Sequence, residues 1–314
     1  MNFLQRTALA ARSLKGVSIG DAFGESFFGE TDAILSQIQQ RRLPPTRWEF
    51  TDDTVMAIAV FEQLEACGEI DQDQLARQFA INHDKDVNRG YGATARRILR
   101  EIGAGGDWRA IAQNVFSGMG SMGNGASMRV SPIGAFHFDD LERVRTLAIR
   151  SAEVTHTHVE GISGAIAVAV ATALATQIKM NGRSITPEAF IETVAGMLPD
   201  SDTRAKIRKS MAIPPDYHIE TVKTILGNGS QITAPDTVPF AIWCAAHHLN
   251  DFAAALWRAV AALGDRDTIG AIVGGITIMS SAEANVPAAW VDAVEDVETS
   301  AFRTGMKQNI NDDP

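Results

Sequence analysis

Two short acidic segments, far apart in the 314-residue sequence, carry the residues best suited to chemistry. Thr51 precedes Asp52 and Asp53 in the first segment, and Asp265 and Asp267 form the second. Each segment stands directly before an apolar helical stretch, where helix capping needs only one acid. Carboxylate and hydroxyl oxygens are the ligands that Mg²⁺ and Mn²⁺ select. If the fold joins the two segments, we expect one site for divalent cations; ordinary capping is the alternative for each segment alone.

A glycine-rich segment, residues 123–129, is the second candidate site. Gly123 and Gly125 flank Asn124, and the hydroxyl of Ser127 and the cation of Arg129 follow. Glycines allow backbone N–H groups to point towards a bound anion, so this segment is suited to wrapping a diphosphate. A flexible surface loop is the alternative interpretation.

His156 and His158 stand only two residues apart. A zinc site would need further His or Cys ligands at suitable spacing, and none stands nearby in the sequence. We therefore expect hydrogen bonding by His156 to a ligand or to a helix start.

Gly16, Gly20 and Gly24 recur at every fourth position, with Asp21 among them. On a helix this spacing places the three glycines on one face, where a ligand or another helix can approach the backbone. Asp21 would then orient a neighbouring group, with helix packing and an ordinary cap as the alternative.

The acidic composition excludes some classes of function. The net charge is −10, so phosphates are repelled over most of the surface, and a general nucleic-acid or membrane-surface binder is not expected. We find no apolar run of about 18 residues that would suggest a membrane span. The helical pattern of the first 15 residues continues into residues 16–24, which favours a core helix over a targeting segment. A cytoplasmic protein is therefore expected.

The hydrophobic periodicity predicts a single all-α domain. Alternation of β-branched residues is scarce, and turn signals do not recur at the spacing of strands. Long functional loops are expected near residues 20–52, 116–136 and 225–238, with a flexible tail over 307–314. Helices are predicted at 3–19, 53–66, 72–81, 91–102, 107–115, 139–152, 158–179, 187–197, 202–210, 218–225, 238–248, 251–263, 268–281 and 288–297.

In combination, these segments resemble the ADP-ribosylglycohydrolase family, which includes the hydrolase that reactivates ADP-ribosylated dinitrogenase reductase. The resemblance extends in the family's order from about residue 12 to about residue 295. The matching segments are residues 20–24, 51–54, 89–92, 123–129, 155–158, 236–239 and 264–268, with Gly270 and Gly274 following.

The resemblance implies one large domain of orthogonal helices over residues 1–306, with a binuclear Mg²⁺ or Mn²⁺ centre. It implies substrate binding by the glycine segment and by residues near it, and metal binding by both acidic segments. The substrate-binding residues would be Asp21, Glu25, Tyr91, Gly92, Gly123, Asn124, Gly125, Ala126, Ser127, Met128 and His156. The metal ligands would be Thr51, Asp52, Asp53, Asp265, Asp267 and Thr268.

One position departs from the family. Family members usually carry a glutamate seven residues after the aspartate of the Gly-Asp segment, and here that position is Phe28. Glu25 and Glu30 flank it, and an alignment shifted by one or two residues gives the role to Glu30. The expected catalytic residues are therefore Asp52, Asp53 and Glu30, with Glu25 as the alternative to Glu30.

The function implied by the resemblance is a metal-dependent hydrolase that removes ADP-ribose from modified side chains, with ADP-ribosylarginine as the expected linkage. We expect the protein to be a monomer that reverses mono-ADP-ribosylation of proteins, including as an antitoxin. A non-catalytic protein that binds ADP-ribose or blocks a transferase is the first alternative, because the glutamate is displaced. A metal-dependent phosphohydrolase is the second, but its His83–Asp84 pair stands far from both acidic segments in the sequence.

Overall fold

The computed structural model describes residues 1–303 except Thr46 and Arg183. These residues confirm the predicted all-α fold, and their only β-type pairing is two isolated bridges. The predicted tail, 307–314, lies outside the described residues. The helices are α1 (Phe3–Glu25), α2 (Thr31–Gln39), α3 (Asp52–Cys67), α4 (Gln72–Lys85), α5 (Ala93–Gly103), α6 (Trp108–Gln113), α7 (Ser131–Phe136), α8 (Leu141–Glu153), α9 (Val159–Asn181), α10 (Pro187–Gly196), α11 (Asp202–Ser210), α12 (Ile219–Leu226), α13 (Ala234–His247), α14 (Phe252–Val260), α15 (Arg266–Ser280) and α16 (Ala288–Ala293), with a 3₁₀ turn at Glu283–Asn285.

Three helical stretches lie where the sequence pattern predicts loops. α1 continues to Glu25 instead of ending near residue 19, and α2 and α7 occupy parts of the regions 20–52 and 116–136. α2 and α7 have only 9 and 6 residues, too few to show a clear helical period. Gly20 and Gly24 lower the helix propensity of the end of α1, and tertiary packing overrides that preference.

α9 is the central helix of the core, as its small and apolar residues predict. It contacts α7, α8, α13 and α15. In the described part of the chain it is the one helix long and apolar enough to cross a membrane, contrary to our expectation that no stretch reaches that length. However, 83% of its most apolar window is buried inside the protein, as in the core helix of a globular domain.

Aromatic packing fixes the end of α1 that leads to the first candidate site. Phe23 stacks on Trp290, with ring centroids 4.4 Å apart. Phe27, Trp48 and Trp257 surround the same ring at centroid distances of 4.9–5.4 Å. Burial of several large rings at one point stabilises the position of α1 relative to α14 and α16.

Glycines bring α1 and α15 into direct backbone contact. A Cβ atom on Gly20 would lie 2.0 Å from the carbonyl oxygen of Gly270, and one on Gly270 would lie 2.1 Å from that of Gly20. Gly16 faces Gly274 in the same way, and Gly24 faces the carbonyl of Arg266. Since these obstacles are backbone atoms, any side chain here would push the two helices apart.

We expect Gly20→Ala to lower the free energy of unfolding by about 3 kcal/mol, because the new methyl group overpacks a backbone contact that cannot yield locally. Gly196→Ala is the matched control, since Gly196 lies in α10 with no atom within 4 Å of an added Cβ. That variant should stay within about 1 kcal/mol of the wild type. Urea denaturation of both variants checks the prediction, and equal stabilities would contradict it.

Candidate active site

Asp21 on α1 holds the start of α3. The backbone N–H groups of Thr51 and Thr54 donate hydrogen bonds to the Asp21 carboxylate over 3.0–3.1 Å, and the Thr54 hydroxyl donates over 2.6 Å. These groups are buried. Burial raises the pKa of Asp21 to about 7, while the hydrogen bond from Thr54 opposes that rise and the charge of Asp267 adds to it. Asp21 therefore acts as a cap supplied from another helix.

Arg89 supports the same segment from the other side. Its guanidinium binds both carboxylate oxygens of Glu295 at 2.7 and 3.0 Å and donates to the carbonyl of Phe50 over 2.9 Å. The Arg89 carbonyl accepts a hydrogen bond from the N–H of Asp52. The backbone at Asp52 is therefore held between α1 and the loop that contains Arg89.

The first acidic segment carries more negative charge than its hydrogen bonds satisfy. The hydroxyl of Thr51 lies 2.9 Å from Asp21 Oδ1 and 3.1 Å from Asp53 Oδ2, but its single hydrogen serves only one of them. Asp53 Oδ1 is buried without a partner among the described residues. Burial, followed by repulsion from neighbouring aspartates, raises the pKa of both Asp52 and Asp53 well above the ordinary value.

The second acidic segment begins α15. Asp265 Oδ2 accepts a hydrogen bond from Asn124 Nδ2 over 2.5 Å, and Asp265 N donates to the carbonyl of Asn228. Asp267 Oδ1 is buried without a partner in the described part of the chain. Burial and then the charge of Asp267 raise the pKa of Asp265 to about 8.

The two acidic segments meet in one cavity of about 410 Å³. The charges of Asp265 and Asp267 contribute to the raised pKa values of Asp52 and Asp53, which places the two segments within electrostatic reach of one another. The predicted site residues that line this cavity are Asp52, Asp53, Gly92, Gly123, Asn124, Gly125, Met128, His156, Asp265, Asp267 and Thr268. The fold therefore joins the acidic segments with the glycine segment.

The chemistry of the acid cluster fits divalent cations. It offers carboxylate and threonine oxygens, and Asp53 and Asp267 each have a buried oxygen without a partner among the described residues. As the side chains stand, no three His, Cys, Asp or Glu residues within the described part form a metal-ligating group. The cluster is thus a set of suitable donors whose charges repel one another.

The glycine segment lies against His156. A Cβ atom on Gly123 would lie 3.0 Å from His156 Nε2, and one on Gly125 would lie 3.2 Å from Cε1 of the same ring. The loop is tied down because Asn124 Nδ2 also donates to Thr237 Oγ1 over 3.0 Å. Glycine at both positions leaves the edge of the imidazole ring open to the cavity.

Part of the remaining lining is apolar, and the sequence pattern did not single out this part. Phe116 and Ile232 are 53% and 55% exposed, and both have the left-handed backbone conformation, at φ 51° and 54°. Ile98 and Leu99 of α5 add to the same lining. Unlike the glycine segment, these positions carry no local motif, and their exposure is visible only in the folded chain.

The two glutamates that flank Phe28 differ in their surroundings. Glu30 is exposed and caps α2, with its carboxylate accepting from Ala33 N over 3.1 Å, so the structure does not bring it to the cavity. Glu25 ends α1, is also exposed, and does not belong to the cavity lining. Loss of hydration and then repulsion by Asp267 raise the pKa of Glu25 to about 6, against the opposing charge of Arg266. Phe28 is 45% exposed, with the Arg266 guanidinium 4.3 Å from its ring centroid.

Five predicted site residues lie behind the cavity lining. Asp21 and Thr51 hold the start of α3, as described above. Tyr91 is buried and packs edge-on against the ring of His83. Ala126 and Ser127 of the glycine segment are fully buried. The positions of Asp21, Tyr91, Ala126 and Ser127 suit them to shaping the site and not to touching a ligand, whereas the Thr51 hydroxyl lies within the acid cluster.

Comparisons with known proteins identify a family and several relatives. The family model described as ADP-ribosylglycohydrolase matches residues 5–312. The chain is 29% identical over 330 residues to ADP-ribosylhydrolase ARH3 of Gallus gallus, covering 90% of this chain and 88% of that protein. The human protein of the same name is 29% identical over 342 residues, covering 92% of each.

The fold also has a counterpart among solved structures. A structure titled "ADP-ribosylglycohydrolase-related protein complex" superposes with a TM-score of 0.63 at 23% identity, covering 92% of this chain and 93% of that chain. An uncharacterized protein of Archaeoglobus fulgidus is 29% identical over 293 residues, covering 90% of each. The structural likeness shows a shared all-α fold.

We expect Asp267→Asn to stabilise the protein in chelator-treated buffer at pH 8, by about 1 to 2 kcal/mol, because it removes one charge that repels the other acids. The raised pKa values of Asp21 and Asp265 mean that the folded state binds protons more tightly than the unfolded chain between about pH 4 and pH 8. The stability of the wild type should therefore fall as the pH rises through this range, and less steeply in the variant. Urea denaturation at several pH values measures both effects.

Asp32→Asn is the matched control, because Asp32 is an exposed acid in the first turn of α2. It should leave the pH dependence unchanged and should not raise the stability. If Asp267→Asn is no more stable than the wild type at pH 8, charge repulsion does not dominate this cluster.

Proposed function

The chain belongs to the ADP-ribosylglycohydrolase family, enzymes that hydrolyse glycosidic bonds of ADP-ribose, and we propose that it removes ADP-ribose from modified protein side chains with the help of two Mg²⁺ or Mn²⁺ ions. The observation that carries the proposal is the meeting of both acidic segments with the glycine segment in one cavity. No other arrangement of residues described above combines hard oxygen donors with a surface for a diphosphate.

The proposed cation ligands are the carboxylates and hydroxyls at the starts of α3 and α15. When bound, the cations would neutralise this cluster and polarise the oxygens that they hold. The side chains in this role are Thr51, Asp52, Asp53, Asp265, Asp267 and Thr268. Asp21 and Asn124 would act as positioning residues, since they hold Thr51 and Asp265 by hydrogen bonds.

The rest of the cavity suits the rest of ADP-ribose. The backbone of residues 123–125 and the edge of His156 would receive the diphosphate. The apolar side chains of Phe116 and Ile232 would cover the flat adenine base. The acid cluster would then lie at the ribose whose C1″ atom carries the modified side chain.

Hydrolysis requires a water molecule to attack C1″ while the bond from C1″ to the side-chain nitrogen or oxygen breaks. The transition state would resemble an oxocarbenium ion, as in other glycoside cleavages. We propose that Glu25, rather than Glu30, accepts the proton that the attacking water loses and returns it to the leaving nitrogen or oxygen. Its pKa of about 6 suits acid–base catalysis near neutral pH, and it interacts with Asp267. The carboxylates of Asp52 and Asp53 would stabilise the positive charge that develops on the ribose.

The proposal covers both nitrogen-linked and oxygen-linked ADP-ribose. Arginine is the acceptor expected from the sequence, and serine is the alternative with a hydroxyl leaving group. We also propose that the protein is monomeric and cytoplasmic and that it binds neither nucleic acid nor membranes. Its role would be to reverse mono-ADP-ribosylation, including as an antitoxin. Size-exclusion chromatography with light scattering tests the monomer directly.

The central assay mixes the protein with arginine-linked and serine-linked ADP-ribosyl peptides, each with Mg²⁺, with Mn²⁺ or with a chelator. We expect release of free ADP-ribose from at least one linkage, only when a divalent cation is present. Asp53→Ala should lower this rate by about 100-fold or more, because an oxygen donor and a stabilising charge are both lost. Chromatography of the released ADP-ribose provides the measurement, with circular dichroism as the control for folding.

Two outcomes would contradict the proposal. Equal rates in chelator and in Mg²⁺ or Mn²⁺ would exclude the role of the acid cluster as a cation site. Tight binding of ADP-ribose without release from either linkage would instead favour a non-catalytic binding protein, the alternative that the displaced glutamate suggested.

Glu25→Gln and Glu30→Gln form a matched pair that tests the proton exchange. We expect Glu25→Gln to lower kcat by about 100-fold or more, because the amide cannot transfer a proton. Glu30→Gln should leave kcat close to the wild-type value, since the Glu30 carboxylate caps α2, whereas Glu25 interacts with Asp267 of the acid cluster. Steady-state kinetics checks both variants, and the opposite order of effects would give the role to Glu30.

A further inference from the structure

Arg129 is a buried cation whose role the proposed function does not use. Its side chain is fully buried, with the guanidinium 4.5 Å from the ring centroid of Phe79. Nη2 donates to the carbonyl of Ser151 over 2.6 Å and to the hydroxyl of Thr155 over 3.0 Å. Among the described residues no carboxylate forms an ion pair with it. Burial of a charge without an ion-pair partner costs free energy of folding, which suggests that Arg129 makes a specific contact.

The contact with Thr155 determines where the threonine hydrogen points. Arg129 has only donors, so Thr155 Oγ1 must accept from it. The other partner of Thr155 Oγ1 in the described part of the chain is His156 Nδ1, 2.7 Å away. Thr155 Oγ1 has two lone pairs, but its single hydrogen has no other acceptor among the described residues. Donation to Nδ1 leaves no buried hydroxyl hydrogen unpaired, so Nδ1 is the acceptor of this pair.

The acceptor role of Nδ1 determines the form of the imidazole ring. Burial and then the nearby charge of Arg129 lower the pKa of His156 to about 3, so the ring is neutral at neutral pH. A neutral imidazole carries one hydrogen, and with Nδ1 as the acceptor that hydrogen is on Nε2.

Nε2 is the ring atom that faces the glycine segment. It has no hydrogen-bond partner among the described residues, and an added Cβ on Gly123 would lie 3.0 Å from it. His156 and Gly123 both line the cavity. The open edge of the ring is thus an N–H group aimed at the place where the glycine backbone would hold a ligand.

We propose that Arg129 and Thr155 act as positioning residues that fix His156 as its Nε2–H tautomer, so that it donates a hydrogen bond to an acceptor oxygen of the ligand's diphosphate. The identity of the ligand rests on the proposed function, whereas the tautomer does not. A ring in this form has no free lone pair on Nε2, so His156 neither binds a metal ion through that atom nor takes a proton there.

Nitrogen-15 NMR of the imidazole rings tests the tautomer in the full-length protein, with His156→Asn used to assign the signal among the seven histidines. The wild type should show a neutral ring protonated on Nε2. Thr155→Val removes the hydroxyl but keeps the shape, and should change the His156 signal towards a mixture of tautomers. Thr155→Ser should restore the wild-type pattern. An Nδ1–H ring in the wild type, or an unchanged signal in Thr155→Val, would overturn the assignment.

Calorimetry with ADP-ribose tests the contact with the ligand. Thr155→Val should weaken binding about five- to tenfold, as for the loss of one oriented hydrogen bond, and Thr155→Ser should bind like the wild type. Equal affinities in all three proteins would overturn the diphosphate contact. If the wild type shows the Nε2–H ring but binds no ADP-ribose, the proposed function fails and the tautomer assignment stands.

Discussion

The site depends on the direct backbone contact between α1 and α15. Gly20 and Gly270 approach so closely that a single methyl group at either position would meet a carbonyl oxygen. α15 begins with the second acidic segment, and α1 carries Asp21, whose carboxylate holds the start of α3 and with it the first segment. One helix contact therefore sets the distance between acids that are far apart in the sequence. The aromatic cluster around Phe23 fixes the same end of α1 and protects this geometry.

This arrangement places like charges together, at a cost to the stability of the metal-free protein. Asp52 and Asp53 are buried, and the charges of Asp265 and Asp267 add to the rise in their pKa values that burial causes. A protein that needed only capped helices would not keep them, because one acid satisfies a helix start. The cost is understandable if cations offset the repulsion, and the partnerless oxygens of Asp53 and Asp267 support that interpretation. By contrast, the glycine segment and His156 present neutral donors, which suits a ligand that brings its own negative charge.

Much of the fold and part of the site were predictable from local patterns. Helical periodicity predicts the central helix α9. The excess of acids at 52–53 and 265–267 predicts that both segments belong to one site, and the two segments line the same cavity. The pattern failed where tertiary packing decides: the glycines in the last turns of α1 suggested a loop, and α2 and α7 are too short to show a period. The choice between Glu30 and Glu25 in place of the family's glutamate stays a prediction: Glu30 caps α2, and Glu25 interacts electrostatically with Asp267. The exposure of Phe116 and Ile232 depends on loop conformations that no local signal encodes.

In the proposed site, the starts of α3 and α15 are the two halves of one binuclear cation centre. Electron paramagnetic resonance of the chelator-treated protein titrated with Mn²⁺ measures whether both halves act together, because two Mn²⁺ ions a few ångströms apart couple magnetically. We expect two Mn²⁺ ions to bind per chain, with the spectrum of a coupled pair. Isolated, uncoupled Mn²⁺ at saturation, or no binding at the acid cluster, would contradict this proposal.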